Sequence, residues 1–385
     1  MARYEVIATA AFGLESQVAW ELKALGHEDQ MVEQGRVRFR TDEVGIARAN
    51  VWLRVADRLQ LVVGEFPAST FDELYDGVRG LPWADLIARD AALPVDGKSV
   101  KSTLTSVPAV QGVVKKAVVD ALARRHGLTV LPETGARHRI LVALRENLAT
   151  LTLDLTGDGL HRRGYRDLVG TAPLKETMAA GLVSLARWKG DWPLVDPMCG
   201  SGTIAIEAAM QALDLAPGLR RAFDAERFRF MPVTAWKAAR EEASDRARAD
   251  RDVRVFASDR DPEALALAER HARQAGVAAA VRLSRAPVRD LAPVEGRGLI
   301  VTNPPYAERL GDGPEVESLY RQMGEVFGRL PGWAIHVLCA HEGFERHYGR
   351  MADKRRKLYN GNLRCQLFQY RAARPPRSEE SPAQG

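Results

Sequence analysis

Over Arg36-Val37-Arg38-Phe39-Arg40 apolar and basic residues alternate strictly, which puts Val37 and Phe39 on one face of a half-buried strand. Tyr4 to Thr9 and Leu59 to Phe66 read as further strands. Between them, Glu15 to Leu25 brings Val18, Leu22 and Leu25 to one side and stops at Gly26, as a helix does. Asp42 to Ala49 predicts a second helix with Thr41 as its N-cap. A second block follows: a strand over Ser99 to Ser106, a helix over Val113 to His126 closed by Gly127, and strands over Arg139 to Leu144 and Leu148 to Leu155 joined by a tight turn at Glu146-Asn147. Both blocks are α+β in character. Thr156 to Thr171, with four glycines and several arginines, reads as a linker.

From about Ala172 the rhythm changes to strand and helix in alternation. Pro173 opens a predicted helix running to Lys189. Strands follow at Leu194-Val195, Val253 to Ser258, Val281 to Ser284, Leu299 to Thr302 and Ala334 to Ala340, with helices over Thr203 to Leu213, Pro262 to Gln274 and Val316 to Leu330. That alternation predicts an α/β, Rossmann-like parallel sheet. Lys357 to Tyr359 and Leu363 to Tyr370 flank Asn360-Gly361-Asn362, a hairpin signal. Residues 372–385, rich in Pro, Ser and Glu, read as a disordered tail.

No run approaches the roughly 18 apolar residues of a membrane span, and no secretory signal is visible, so a cytoplasmic protein is expected. Cys199, Cys339 and Cys365 are far apart and odd in number, which argues against zinc and disulfide frameworks. No metal is expected. The net charge of +5 permits a nucleic-acid partner without requiring one. Basic residues cluster at Arg162-Arg163 with Arg166, at Arg220-Arg221, and at Lys354-Arg355-Arg356-Lys357. Arg162, Arg163, Arg166, Lys354 and Arg355 are the candidate phosphate contacts; each cluster reads equally as a solvated face.

The chemistry begins at Asp196-Pro197-Met198-Cys199-Gly200-Ser201-Gly202-Thr203, a glycine turn between strand and helix where backbone and ligand approach closely. A dinucleotide loop would require an acid about 20 residues on. The next strand-end acid, Asp259, lies much farther away. A carboxylate at Asp196 suits a cationic ligand better than a pyrophosphate. It would face the amino-acid end of S-adenosylmethionine or order the loop that does. Asp259, with Arg260 beside it, is placed for ribose hydroxyls, and Asp290 for the adenine amino group; Asp259 also reads as a cap for the next helix.

Leu299-Ile300-Val301-Thr302 then delivers Asn303-Pro304-Pro305-Tyr306 to the same sheet edge. Two prolines end a central strand and stiffen the backbone. An exocyclic amine on a base is a poor nucleophile because its lone pair is delocalised. The Asn303 side-chain oxygen and the Pro304 carbonyl would accept its two N–H bonds and stabilise charge growing on nitrogen. Tyr306 would stack on the base.

These residues resemble class I methyltransferases with an Asn-Pro-Pro-Tyr motif, and more closely the RlmL family. Gly164-Tyr165-Arg166, Ala172-Pro173-Leu174-Lys175-Glu176, Asp196 to Met210, Ala216-Pro217-Gly218-Leu219, Asn303 to Leu310 and Asn360 to Leu363 carry the resemblance. It implies a seven-stranded sheet with a terminal antiparallel hairpin over residues 172–371. It also implies a ferredoxin-like domain over 1–55 and a THUMP domain over 56–155, with a linker at 156–171. The implied cofactor is S-adenosylmethionine, held by Asp196, Met198, Gly200, Ser201, Gly202, Thr203, Asp259, Arg260, Asp290 and Asn303. Pro173, Leu174 and Glu176 would close over it. The implied reaction is methylation of guanine N2 in large-subunit ribosomal RNA by a monomeric enzyme. Asp290 departs from the commonest place of the adenine-binding acid. A single methyltransferase domain implies a single activity. tRNA as substrate, a noncatalytic RNA-binding assembly factor and a glutamine-amide methyltransferase are the alternatives. The intact loop and tetrapeptide argue against the second, and the THUMP-like half against the third.

Overall fold

The structure, a computed structural model, describes residues 4–166, 174–292, 296–305 and 313–372. The chain forms two compact units, one of residues 1–163 with 215–247, the other of 164–214 with 248–385.

The first unit is built on one mixed sheet of strands β1 (Tyr4–Ala10), β2 (Gln30–Glu33), β3 (Arg36–Thr41), β4 (Ala56–Pro67), β5 (Val95–Val100), β6 (Ile140–Arg145) and β7 (Leu148–Asp154). Their order is β2-β3-β1-β4-β7-β6-β5. β4 makes the sheet continuous. It pairs with β1 through Ala56 to Leu61 and with β7 from Gln60 to Pro67. Arg38, on the polar face foreseen for β3, reaches Glu5 on β1, Glu33 on β2 and Glu65 on β4, at 2.8, 3.1 and 2.6 Å. Helices α1 (Glu15–Ala24), α2 (Glu43–Trp52), α3 (Phe71–Arg79), α4 (Trp83–Leu86) and α5 (Val107–His126) complete the first stretch of chain.

β2, α3 and α4 are not among the elements the sequence predicts, and several boundaries differ from expectation. Thr41 lies in β3, and Asp42 caps α2 by accepting from the Gly45 N–H at 2.8 Å. β5 ends at Val100 because Lys101 turns to φ +50°, and Pro108 in the first turn starts α5 six residues early. At the β6–β7 turn, Glu146 and Asn147 both adopt positive φ, as the two-residue hairpin demands.

The second unit holds strands β8 (Leu194–Asp196), β9 (Val255–Asp259), β10 (Val281–Arg285), β11 (Gly298–Thr302), β12 (Trp333–Cys339), β13 (Lys354–Asn360) and β14 (Leu363–Tyr370). The order is β10-β9-β8-β11-β12-β14-β13. All pairs are parallel except those made by β14, the terminal hairpin. This is the Rossmann-like seven-stranded sheet expected. Helices α6 (Glu176–Leu185), α7 (Thr203–Ala212), α9 (Pro262–Ala275), α10 (Gly313–Gly328) and the short α11 (Phe344–Tyr348) belong to it. α6 is shorter than predicted, with Arg187 at φ +55° beyond its end; Pro173 lies outside the described residues. The chain runs from β8 outward to β9 and β10, then returns to β11 on the other side. Ligands bind such sheets at the carboxyl ends beside that reversal, which here means the ends of β8 and β11.

Between α7 and β9 the chain leaves this unit. Leu215 to Ala247, including α8 (Val233–Asp245), packs within the first unit. Phe228 stacks on His138 with centroids 4.1 Å apart, and Arg48 forms a two-point pair with Glu242 at 2.6 and 2.8 Å. The Gly218 N–H donates to the Val51 carbonyl, and a Cβ at Gly218 would come within 2.7 Å of the α2 backbone.

Candidate active site

Asp196 ends β8 with 1 % of its surface exposed. Its Oδ1 accepts from the Thr302 hydroxyl at 2.8 Å and from the Met198 N–H at 3.4 Å. Burial pushes its carboxyl up to about 7, with the charge of Asp259 adding to the rise, and no cation among the described residues pairs with it. A buried carboxylate without a counter-charge is costly, and a cationic ligand would relieve that cost.

The glycine loop is pinned from β9 and α9. The Cys199 N–H donates to the Ser258 carbonyl and the Gly200 N–H to Asp259 Oδ2 at 2.8 Å, while Asp259 Oδ1 accepts from the Asp261 N–H. Asp261, not Asp259, caps α9. His271 Nδ1 lies 3.2 Å from the Ser201 carbonyl. Gly202 turns at φ +81° directly before Thr203 begins α7, and a Cβ there would sit 3.0 Å from Ala268 Cβ. Gly200, at φ +51°, has nothing within 4 Å of where its Cβ would be. The loop is therefore tight against α9 and open at Gly200, the shape a close-approaching ligand needs. Burial pushes the Cys199 thiol far up, which removes it as a nucleophile.

The arginines before the loop separate by environment. Arg162 is 68 % exposed, with a long 3.4 Å contact to Asp158. Arg163 is buried and donates to the carbonyls of Leu160 and Arg54, so its guanidinium is an internal clasp in the first unit. Arg166 is likewise turned inward. It pairs with Glu176 at 3.2 Å, both side chains 7 % exposed, and donates to the Leu174 carbonyl and the Ser201 hydroxyl. Arg163 is thus committed to peptide carbonyls, and Arg166 is drawn inward by the Glu176 carboxylate through Nη1. Tyr165 between them is buried and donates to Glu207 of α7 at 3.0 Å.

Asn303, Pro304 and Pro305 leave β11 immediately after the buried Thr302. The Tyr320 hydroxyl of α10, wholly buried, donates to the Pro305 carbonyl at 3.1 Å, and the Cys339 thiol lies 3.3 Å from that hydroxyl. Tyr306 lies outside the described residues. Asp290 is exposed in a single helical turn beside Arg289, and Arg260 is exposed. Lys354 is exposed, and Arg355 is held by Glu345 at 2.8 Å. Thr302, Tyr320 and His271 were not visible in the sequence as parts of this site. Tyr320 shares a helical face with Val316, Met323 and Phe327, and its spacing is that of any core residue. Among the described residues no cluster of His, Cys, Asp and Glu could hold a metal ion, and no helix is long and apolar enough to cross a membrane. A groove of about 650 Å³ between α9 and β10 runs along the sheet's outer edge, lined by Leu265, Glu269 and Leu283 and not by the glycine loop.

Comparison with known proteins decides what such a site belongs to. A family model described as an RMKL-like methyltransferase domain matches residues 163–369. The chain belongs to the RMKL-like methyltransferase family. An RlmL ferredoxin-like domain model matches residues 5–60 and a THUMP domain model residues 68–154. Putative RNA methyltransferase YpsC of Bacillus subtilis is 44 % identical over 96 % of both chains. A Listeria monocytogenes structure titled as a predicted N6-adenine-specific DNA methylase is 46 % identical, with a TM-score of 0.92 over 97 % of both chains. SMU.472, solved in complex with SAH, is 40 % identical, with a TM-score of 0.92 over 97 % of this chain and all of that one. The chain spans about half the length, 52 % and 54 %, of matched relatives named ribosomal RNA large subunit methyltransferase K/L. As a member of this family the protein is a methyltransferase whose cofactor is S-adenosylmethionine, and the buried Asp196 beside an open Gly200 fits that cation.

Proposed function

We propose that this enzyme methylates the N2 amino group of guanine in RNA, with large-subunit ribosomal RNA as the substrate. The observation that carries the reading is the 2.8 Å bond from Thr302 to Asp196. It ties the residue just before Asn303 to the carboxylate that begins the cofactor loop, so the amine holder and the methyl-donor holder share one rigid junction. S-adenosylmethionine supplies an electrophilic methyl group on sulfonium. Asn303 Oδ1 and the Pro304 carbonyl accept the two N–H bonds of the base amine and orient its lone pair. Rigid alignment of the two reactants removes orientational entropy from the barrier. Tyr306 stacks on the extruded base. Met198, Ser201, Thr203 and Asp259 frame the cofactor, with Asp290 and Arg260 beyond them. Arg162, Lys354 and Arg355 contact phosphate. The THUMP domain and the names of the relatives support RNA as the acceptor.

Asn303→Ala should lower kcat by about a hundredfold, the loss of one pre-aimed dipole, and leave S-adenosylhomocysteine affinity within about twofold by calorimetry, since Asp196 and the glycine loop are untouched. Undiminished turnover would refute the assignment. The Listeria relative's title favours a second acceptor, adenine N6 in DNA, which also presents an exocyclic amine. Labelled-methyl transfer to ribosomal RNA, tRNA and DNA, followed by nucleoside mass spectrometry, separates the acceptors.

A further inference from the structure

We propose that Arg166 receives the α-carboxylate of S-adenosylmethionine. The argument begins with an unsatisfied donor. Arg166 is 93 % buried by its side chain's 7 % exposure, yet its Nε has no hydrogen-bond partner among the described residues. A buried donor left unpaired is expensive, and such atoms mark the place of an absent partner. The other contacts tell which partner. Nη1 is used by the Leu174 carbonyl and Glu176, but Nη2 has only the Ser201 hydroxyl at 3.4 Å. Nε and Nη2 lie on one edge of the planar guanidinium, the edge that grips a carboxylate with two parallel bonds. Nη2 on that edge stands at the Ser201 hydroxyl, inside the glycine loop and one residue after the open Gly200.

Charge complementarity supports the assignment. The loop and its supports carry one guanidinium, Arg166, and three carboxylates, Glu176, Asp196 and Asp259. The amino-acid end of the cofactor carries one carboxylate and two cations, the ammonium and the sulfonium. The protein side is net negative and the cofactor's end net positive, so the two are complementary in sign. With Arg166 on the carboxylate, the cofactor's cationic groups face Asp196, which relieves its uncompensated burial.

The inference rests on the cofactor and not on the acceptor base, so it survives if guanine proves wrong. Calorimetry on the full chain should compare S-adenosylhomocysteine with 5′-methylthioadenosine, which lacks the amino-acid end, and with decarboxylated S-adenosylhomocysteine. Wild type should prefer S-adenosylhomocysteine over the decarboxylated form by about tenfold or more, the scale of a paired carboxylate. Arg166→Met should erase that preference and leave 5′-methylthioadenosine affinity unchanged, which also shows that the site is folded. Arg166→Lys should keep part of the preference as a point charge. No wild-type preference for the carboxylate would overturn the proposal. So would an Arg166→Met variant that retains the preference, or one that weakens all three ligands equally, the signature of a residue that only props the loop.

Discussion

Cutting the chain before Gly164 should yield an aggregating protein, although the cut falls at the start of the family's methyltransferase domain. The reason is the segment Leu215–Ala247, which belongs to the first unit. Phe223, Phe228, Met231 and Trp236 on it are each no more than 5 % exposed. Complete loss of their burial would cost roughly 6–12 kcal/mol at about 1.5–3 kcal/mol per side chain. Phe223 and Trp236 stack on one another within the segment, so about half of that is a fairer figure. On the order of 5 kcal/mol is still the entire stability of a marginal domain. The cut also removes His138 from Phe228, Arg48 from Glu242, and Trp52 from Arg246, whose guanidinium lies 4.1 Å from the indole centroid.

The second unit offers its own control. The Arg248 N–H donates to the Leu213 carbonyl at 2.8 Å, so the two ends of the excursion are adjacent. A chain of residues 164–385 in which a short Gly-Ser linker replaces Leu215–Ala247 should stay soluble and bind S-adenosylhomocysteine. The same chain with the segment intact should aggregate. Expression, size-exclusion chromatography and calorimetry read both. If the uncut segment leaves 164–385 monomeric and fully competent to bind, the packing argument is wrong.

Two further outcomes follow from the site. Asp196 in the free protein titrates near 7 because it is buried, and a raised carboxyl favours the protonated fold. Its contribution to the stability of the free protein is therefore present at low pH and lost as pH rises through about 7. Cation binding needs the ionised form, so cofactor affinity should be flat above pH 7 and fall about tenfold per unit below it; Asp196→Asn should bind weakly at all pH, and an unsloped wild-type profile between pH 5 and 7 would contradict the assignment. Tyr320→Phe removes the bond to the Pro305 carbonyl. It should lower kcat by about tenfold, the scale of one hydrogen bond, with KM for the cofactor unchanged; an unaltered kcat would show that the platform holds itself.

Much of this was legible because it is local. Strand β3 announces itself by period-two alternation, the β6–β7 turn by its residues, and the glycine loop by the conformations only glycine takes cheaply. The class of the sheet followed from alternation of strand and helix. What the sequence hid was partnership. The sequence pattern predicts no element between Leu213 and Val253, where α8 lies; even its buried Trp236 and Ala239 would name a face and not the surface that covers it. Nothing in the order of residues shows that this helix folds back to α2.

The arginine cluster makes the same point in chemical terms. Arg162, Arg163 and Arg166 look alike as a basic run before the catalytic half. The fold gives them three environments: solvent for Arg162, peptide carbonyls for Arg163, and the Glu176 carboxylate with the glycine loop for Arg166. Charge alone cannot rank them, because desolvation decides what a guanidinium is for. An exposed arginine near phosphate gains little per contact and is screened by salt. A buried one must fill its donors locally or wait for a ligand that does. Of the three, only Arg166 has an inward edge left over, and that edge faces the loop around which the enzyme is built.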